Sequence, residues 1–414
     1  MPRERIVLVF GGQSPEHDVS LASARAVLLH LNPARYDVLP VYVTRQGGWV
    51  FPTRWLGEDN YHSMAQDLMN QLSARRNECG PPAGEPPPPV HPPSADVLQR
   101  LRAMNPSVVW ILIHGPGGED GVLQAALEGA GLPYMGSGPE AGALCMDKRR
   151  AMDALAAAGL PVPPGCVFLR DGAAWRNFKH PERPLTLDEA AGEMRFLPPW
   201  VVKPNRGGSS VGVSLVTNAG DLNEALERAA AFDPFVLVQV CVSGTEVTCG
   251  VLEQWSEPAQ RLETIALPPT QIIPRHSTFF DYQSKYTAGE TMEITPANLD
   301  PRTIERIQDA ALRAHHTLGC RGFSRTDMIV QDGIPFILET NTIPGMTSTS
   351  LLPQGAAAIG LDFPALLEVM LQTALIRAGR RMTAADSAPA LDFEPVPAFQ
   401  AAWLEPAWEA QAIL

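Results

Sequence analysis

The sequence predicts an α/β (α+β) protein in which an open parallel sheet comes first and two α+β regions follow. Three stretches carry this expectation. Ile6–Phe10 is an uninterrupted apolar run that ends in Gly11-Gly12-Gln13-Ser14, the pattern of a strand buried on both faces that leads into a helix. Val108–Ile113 repeats it, ending in His114-Gly115-Pro116-Gly117-Gly118-Glu119-Asp120-Gly121. Far along the chain, the apolar runs Met328–Val330 and Ile334–Leu338 flank Gln331-Asp332-Gly333, a hairpin signal.

Composition narrows the class. A chain of 414 residues, 45% apolar and 19% charged, suits a soluble globular protein of two or three domains. A formal charge of −13 argues against a nucleic-acid partner, which needs clustered Lys and Arg. The chain enters its first strand without a signal-peptide core, and no run of 18 apolar residues is present, so neither export nor a membrane partner is expected. Six cysteines without a Cys-x-x-Cys pair read as reduced thiols of a cytoplasmic protein.

In chain order, Ser14-Pro15-Glu16-His17 opens a helix through Leu31, with Glu16 favourably placed against the helix dipole. Val38–Val43 is a second strand, and Gly47-Gly48 turns into a short third at Trp49-Val50. From Leu56 to Ala95 the prolines at 81–82, 86–89 and 92–93 suggest an insertion or surface excursion. The glycines after Val108–Ile113 lack a Walker lysine and the dinucleotide spacing. Ala141–Gly159 reads as one Ala-rich helix carrying Lys148, and Arg170–Arg195 as a second insertion. Pro199–Pro204 is a strand with Lys203 near its end. Asn205–Gly212 then supplies a Gly/Ser flap (Gly207, Gly208, Ser209, Ser210) before Val213–Val216. The N–H and hydroxyl groups of such a flap fold over phosphates. Ala219–Phe232 is a helix and Phe235–Val242 a strand interrupted by Gln239. Helices over Pro301–Leu318 and Phe363–Ala378 flank the hairpin, and the Ala/Pro-rich remainder reads as a tail.

The hairpin offers a candidate metal face. With Gly333 at positive φ in a three-residue loop, Val330 pairs with Ile334, Asp327 faces Ile337 and Arg325 faces Glu339. Arg325, Asp327, Glu339 and Asn341 then share one face, whereas a two-residue loop would put Glu339 and Asn341 opposite to Asp327. Three oxygen ligands beside an arginine suit Mg²⁺ carrying phosphate oxygens, although a solvated hairpin face also carries charge.

Asn341-Thr342-Ile343-Pro344-Gly345-Met346-Thr347 decides between these readings. With Glu339 ahead of it, it resembles the metal motif Glu-x-Asn-Thr-x-Pro-Gly-Met-Thr of the D-alanine–D-alanine ligases of the ATP-grasp superfamily. Six separated motifs resemble that family in the same order, over roughly Ile6 to Ala378. The resemblance implies an ATP-grasp fold with a Rossmann-like N-terminal domain (1–136, with a Pro-rich insertion near 56–95), ATP-clasping subdomains at 137–246 and 247–378, and an extra tail at 379–414. It implies ATP-dependent formation of D-alanyl-D-alanine for peptidoglycan, through a D-alanyl phosphate. It further implies ATP as co-substrate, two Mg²⁺ or Mn²⁺ ions in each active site, and a cytoplasmic homodimer.

The roles carried over follow the matching positions. Glu16, within Gly11–Ser20, would hold the first ammonium group, and His114 would lie in the substrate shell. Lys148, Lys203, Ser210, Gln239 and Glu246 would contact ATP, with Glu246 on the ribose. Phe279–Tyr286 resembles the ω-loop, in which Lys285 would meet phosphate or substrate. Tyr286 would link with Ser209 and Glu16 on closure. Asp327, Glu339 and Asn341 would hold the metal, Arg325 and the Gly345 N–H would stabilise the oxyanion, and Ser350 would bind the second carboxylate. Gly207 and Gln239 stand where the family often has Glu, and Val240 where it often has Lys. Alternatives are a D-alanine–D-lactate or D-serine ligase, another ATP-grasp carboxylate–amine ligase, and a nucleotide-binding protein without activity.

Overall fold

The computed structural model describes residues 3–57, 61–74, 90–172, 174–177, 184–185, 189, 196–208, 210–274 and 291–380. Expectations for Ser209, Lys285, Tyr286 and the rest of the ω-loop, for 75–89 of the Pro-rich stretch, and for the tail beyond Arg380 fall outside these residues.

The first sheet has the order β3-β2-β1-β4, from β1 (Glu4–Gly11), β2 (Tyr36–Val43), β3 (Trp49–Val50) and β4 (Val108–Ile111). The first, second and fourth strands are parallel, and β3 is an antiparallel edge. The apolar run of β1 follows from helices on both faces. Ile6, Leu8 and Phe10 pack towards α1 (His17–His30) and α2 (Tyr61–Ala74). Val7 and Val9 pack towards α3 (Ala95–Ala103) and α4 (Val122–Gly129) on the other face. Gly11 ends β1 at φ +94°, where a Cβ would lie 2.2 Å from the Val43 carbonyl oxygen; no other residue fits that turn.

Two expectations are corrected here. The stretch after Leu56 begins as a packed helix: Tyr61 and Ala65 of α2 are fully buried against the same core as α1. The prolines that suggested an excursion come only after its last residue. The Ala-rich segment is two helices, α5 (Pro139–Met146) and α6 (Lys148–Ala157). Asp147 breaks it, with ψ 95°, and its carboxylate accepts the Arg150 N–H as the N-cap of α6. Local capping outweighs alanine propensity at that point.

The second sheet, antiparallel throughout, has the order β7-β6-β5-β10-β8-β9. Its strands are β5 (Gly165–Asp171), β6 (Ala174–Asn177), β7 (Pro184–Leu185), β8 (Trp200–Pro204), β9 (Ser214–Val216) and β10 (Phe235–Val240). Part of the segment expected as an insertion at Arg170–Arg195 is thus sheet edge, and Trp175 is buried in its core. The apolar side of α7 (Leu222–Ala230) covers this sheet, through Leu222, Ala225, Leu226 and Ala229.

The third sheet is also antiparallel, β14-β13-β11-β15-β16 with β12 on β11. It comprises β11 (Thr245–Ser256), β12 (Arg261–Ala266), β13 (Thr270–Pro274), β14 (Thr291–Ile294), β15 (Phe323–Gln331) and β16 (Ile334–Asn341). Helix α8 (Pro301–Thr317) fills its core with Ile307, Ala310, Ala311 and Ala314. Helices α9 (Leu351–Ala357) and α10 (Phe363–Arg377) return to the first sheet, where Leu352, Leu366 and Leu371 join Ile6, Leu8 and Phe10 in one core. That shared core brings the loop after β16 against the N-terminal strands.

Candidate active site

The hairpin β15–β16 places its oxygen ligands together, by a route different from the expected one. The turn has two residues, Asp332 and Gly333, both at positive φ (51° and 73°), the type I′ geometry that Asp-Gly favours because it matches strand twist. Gln331 therefore pairs with Ile334 and Val330 with Pro335, correcting the three-residue loop. A β-bulge between Asp327 and Met328 then shifts the register: Met328 faces Ile337, whereas Asp327 faces Glu339 and Arg325 faces Asn341. Leu338 is the extra residue. It restores the parity that the shorter turn had removed, as a bulge does.

Around Asp327 the polar groups are tightly joined. Arg325 donates through Nε and Nη2 to its two carboxylate oxygens at 2.9 and 2.8 Å. Asn341 Nδ2 donates at 3.1 Å, and the Thr248 hydroxyl from β11 at 2.5 Å. Asp327 is 9% exposed, so this bidentate clamp holds a nearly buried charge. Among the described residues no three His, Cys, Asp or Glu side chains form a metal cluster. Two carboxylates and an amide are a hard-oxygen set that leaves the remaining positions to phosphate oxygens, as Mg²⁺ prefers. The residues fit that ion.

The lysine-bearing side of the site is assembled from the second sheet and the α5–α6 break. Asp147 Oδ1 also accepts the Asn205 amide at 2.9 Å, and Asn205 Oδ1 accepts the Arg149 N–H at 2.9 Å. This staple ties the first turn of α6 to the start of the flap. Lys148 Nζ donates to the Gly207 carbonyl at 2.6 Å and lies 3.4 Å from Glu339 Oε2. In the flap, Gly207, Ser210 and Gly212 all take positive φ.

A cavity of about 620 Å³ between the second and third sheets is lined by Lys148, Lys203, Ser210, Gln239, Glu246, Asp327 and Glu339, seven of the expected residues. The chain from Gln239 to Glu246 forms one wall of it. Gln239 is buried, and its amide donates to Met152 Sδ at 2.8 Å and the Pro163 carbonyl at 3.4 Å. Glu16 is absent from this lining. It borders a second cavity of about 470 Å³ that shares Gly207 and Gly208 with the first. A Cβ on Gly208 would lie 3.1 Å from Glu16 Oε2, and one on Gly115 2.6 Å, so the carboxylate sits between the flap and the loop after β4.

His114, Gly345 and Ser350 stand apart from both cavities' linings. His114 is buried and both ring nitrogens contact protein: Nδ1 the Ile343 carbonyl at 2.9 Å, Nε2 the Ser23 hydroxyl at 3.1 Å. Burial pushes its pKa down, with Glu16 and the Ile343 carbonyl opposing. Ser350 Oγ lies 2.7 Å from Thr347 Oγ1 and accepts the Thr347 N–H at 3.0 Å, while a Cβ on Gly345 would lie 3.1 Å from it. Three polar residues at this site had been given no role. Thr248 carries no sequence signal. Glu119 stands inside the glycine loop already singled out, and Ser23 is a polar residue on the buried side of an apolar helix. Glu119 accepts the Gly115 N–H at 2.7 Å and the Ile343 N–H at 3.0 Å. Burial and the Glu16 charge raise its pKa, against those two N–H groups and Arg325.

Two sheets that close on a cavity lined by Lys148 and Lys203, with paired carboxylates on a third-sheet hairpin, define an ATP-grasp fold. Family models for the D-ala D-ala ligase N-terminus and C-terminus match residues 5–137 and 154–372. The chain belongs to the D-alanine–D-alanine ligase family of enzymes. It is 36% identical over 376 residues to a D-alanine--D-alanine ligase of Leptospira interrogans, covering 90% of this chain and 99% of that one. With a counterpart from Mycobacterium bovis it shares 37% over 382 residues, 91% of this chain and 96% of the other. Among solved structures it is similar to a D-Ala:D-Ser ligase from Enterococcus faecalis, with TM-score 0.70, 33% identity, and 90% and 100% coverage. A Bacillus anthracis D-alanine--D-alanine ligase complexed with ATP gives TM-score 0.61 at 26% identity, covering 91% of this chain and 99% of that one.

Proposed function

We propose that this enzyme joins two D-alanine molecules with ATP, releasing D-alanyl-D-alanine, ADP and phosphate, for peptidoglycan synthesis in the cytoplasm. The observation that carries this reading is the 620 Å³ cavity lined by Lys148, Lys203, Asp327 and Glu339, with Gln239 to Glu246 along a wall. Its two lysines suit phosphates, and Glu246 suits the ribose hydroxyls. The divisions at 136/137, 246/247 and 378/379 and a homodimeric state are part of the same reading.

A carboxylate resists attack by an amine, so it is first activated. Glu16 holds the first ammonium group while a carboxylate oxygen attacks Pγ; the O–Pγ bond forms as the bond to ADP breaks. Lys148 and Lys203 balance phosphate charge. Asp327, Glu339 and Asn341 would hold one or two Mg²⁺ or Mn²⁺ ions, which supply Lewis-acid stabilisation of the phosphate oxygens. The second amine then attacks the acyl carbon. Its C–N bond forms, the acyl–phosphate C–O bond breaks, and the nitrogen sheds its protons to solvent. Arg325 and the Gly345 N–H face the oxyanion, each donor contributing ~3 kcal/mol, and Ser350 binds the second carboxylate. Ser209, Tyr286 and Lys285 belong to the closing elements.

The test is ADP release from Mg·ATP with and without D-alanine, with the product weighed. D-alanine-dependent release with a dipeptide mass is expected; release that ignores D-alanine would overturn the assignment. Similarity to the D-Ala:D-Ser ligase favours one second reading, D-serine as the second substrate, which the same mass measurement separates.

A further inference from the structure

The loop that follows β16 carries Gly345, and the N-terminal domain grips it on both sides of that residue. Ile343 is held at each end of its own backbone: its N–H donates to Glu119 at 3.0 Å and its carbonyl faces His114 Nδ1 at 2.9 Å. On the far side of Gly345, the Met346 N–H donates to Ser23 Oγ at 3.1 Å. Ser23 and His114 are themselves joined at 3.1 Å, and Glu119 is anchored by the Gly115 N–H at 2.7 Å.

Hydrogen-bond chemistry orients this ring. A carbonyl can only accept, so His114 Nδ1 carries the proton that faces Ile343. The neutral ring then presents a lone pair at Nε2, which takes the Ser23 O–H. Ser23 Oγ keeps lone pairs for the Met346 N–H. Each group has one direction available to it, and the chain of bonds closes without an unmatched donor. Ser23 is fully buried, and the Ile343 side chain packs with Val109 and Ile111 of the first sheet. Pro344, between them, has no N–H to donate. The Ile343–Pro344 peptide ahead of Gly345 and the Gly345–Met346 peptide after it are thus tied to residues more than 220 positions away.

We propose that Ser23, His114 and Glu119 form a clasp that aims the Gly345 N–H at the reacting acyl group, making them positioning residues rather than substrate ligands. The inference rests on the ligase reading, in which that N–H faces the oxyanion. Such donors work by being fixed before charge develops. A loop released from one side of the clasp keeps its fold but loses aim, and misplacement by about 1 Å costs on the order of a hundredfold in rate. Charged neighbours of His114 and Glu119 are Glu16 and Arg325, so the clasp also borders the group assigned to the first ammonium.

Two substitutions test it. Glu119→Gln keeps the shape but turns an N–H donor towards either Gly115 or Ile343. Ser23→Ala removes the acceptor of the Met346 N–H and leaves Glu119 untouched. Each is expected to lower kcat about ten- to a hundredfold while KM for ATP stays within about twofold, since neither residue borders the nucleotide cavity. Unchanged kcat in a folded variant would overturn the clasp, as would a kcat loss matched by the loss of folded protein. Should Glu119→Gln fail to fold, Ser23→Ala decides alone. The wild-type enzyme run beside them separates the two ideas: no dipeptide there overturns the ligase reading. The kcat comparison is then made with whichever amine supports ADP release.

Discussion

Asp327 stands directly opposite Glu339 on a hairpin that turns in only two residues. Without the bulge at Leu338 that turn would send Glu339 to the far face of the sheet, away from Lys148 and the cavity. Glu339→Gln keeps the shape and deletes the charge. Turnover, followed as D-alanine-dependent ADP release, should fall about a hundredfold or more, with the thermal midpoint within about 3 °C of the parent. Near-normal turnover would remove Glu339 from the metal site.

Lys148 joins α6 to the flap through the Gly207 carbonyl and reaches towards Glu339. Replacing it by Met keeps the stem and removes the cation. KM for ATP is expected to rise about tenfold or more, one charge-assisted contact being worth at least ~1.4 kcal/mol. In the parent enzyme, hydrogen exchange across 205–212 should slow when Mg·ATP saturates the site, and exchange that ignores nucleotide would contradict a closing flap.

Arg377 at the end of α10 clamps Glu253 of β11 with bonds of 2.7 to 3.0 Å. Burial alone pushes the Glu253 carboxyl upward, but the His315 ring 3.9 Å away and the Arg377 hydrogen bonds and charge outweigh it and hold the group at about 2 instead of 4.5. Because the folded value is the lower one, the stability it brings is complete above about pH 4.5 and disappears as pH falls towards 2. Arg377→Met should therefore cost about 2 kcal/mol at pH 7, a figure moderated by the partial exposure of the arginine. Urea unfolding of both proteins should show the difference shrinking between pH 4.5 and 2; a gap that stays constant would refute the linkage.

Product identity follows from the nucleophile that the second subsite accepts. With equal D-alanine, D-serine and D-lactate at pH 7, the expected main product is D-alanyl-D-alanine. The expectation comes from Lys285-Tyr286 in the stretch that resembles the dipeptide ligases' ω-loop. A predominance of ester or of D-Ala-D-Ser by mass would reassign the second substrate and leave the ATP chemistry in place.

Some of the architecture was legible because it is local. Ile6–Phe10 and Val108–Ile113 announce buried parallel strands, since each residue must be apolar when helices cover both faces. Glu339 to Thr347 announces the family because its run of Glu, Asn, Thr, Pro, Gly, Met and Thr matches a specific motif rather than a generic turn. Elsewhere the local signal misled. Ala141–Gly159 reads as one helix until Asp147 is seen capping the second. The stretch after Leu56 reads as an excursion until Tyr61 is seen packed beneath α1.

By itself, then, the sequence determined the fold class and the enzyme family, and it put forward a set of site residues of which seven line one cavity. Only the tertiary structure decided how Asp327 meets Glu339, since a turn type and a bulge each reverse side-chain parity and one cancels the other. It alone also decided that His114 and Glu119 grip Ile343. Hydrogen bonds between residues more than 200 positions apart leave no periodicity in the chain. They exist because the C-terminal helices share a core with the first sheet, and that burial carries the Gly345 loop to residues it could not otherwise meet.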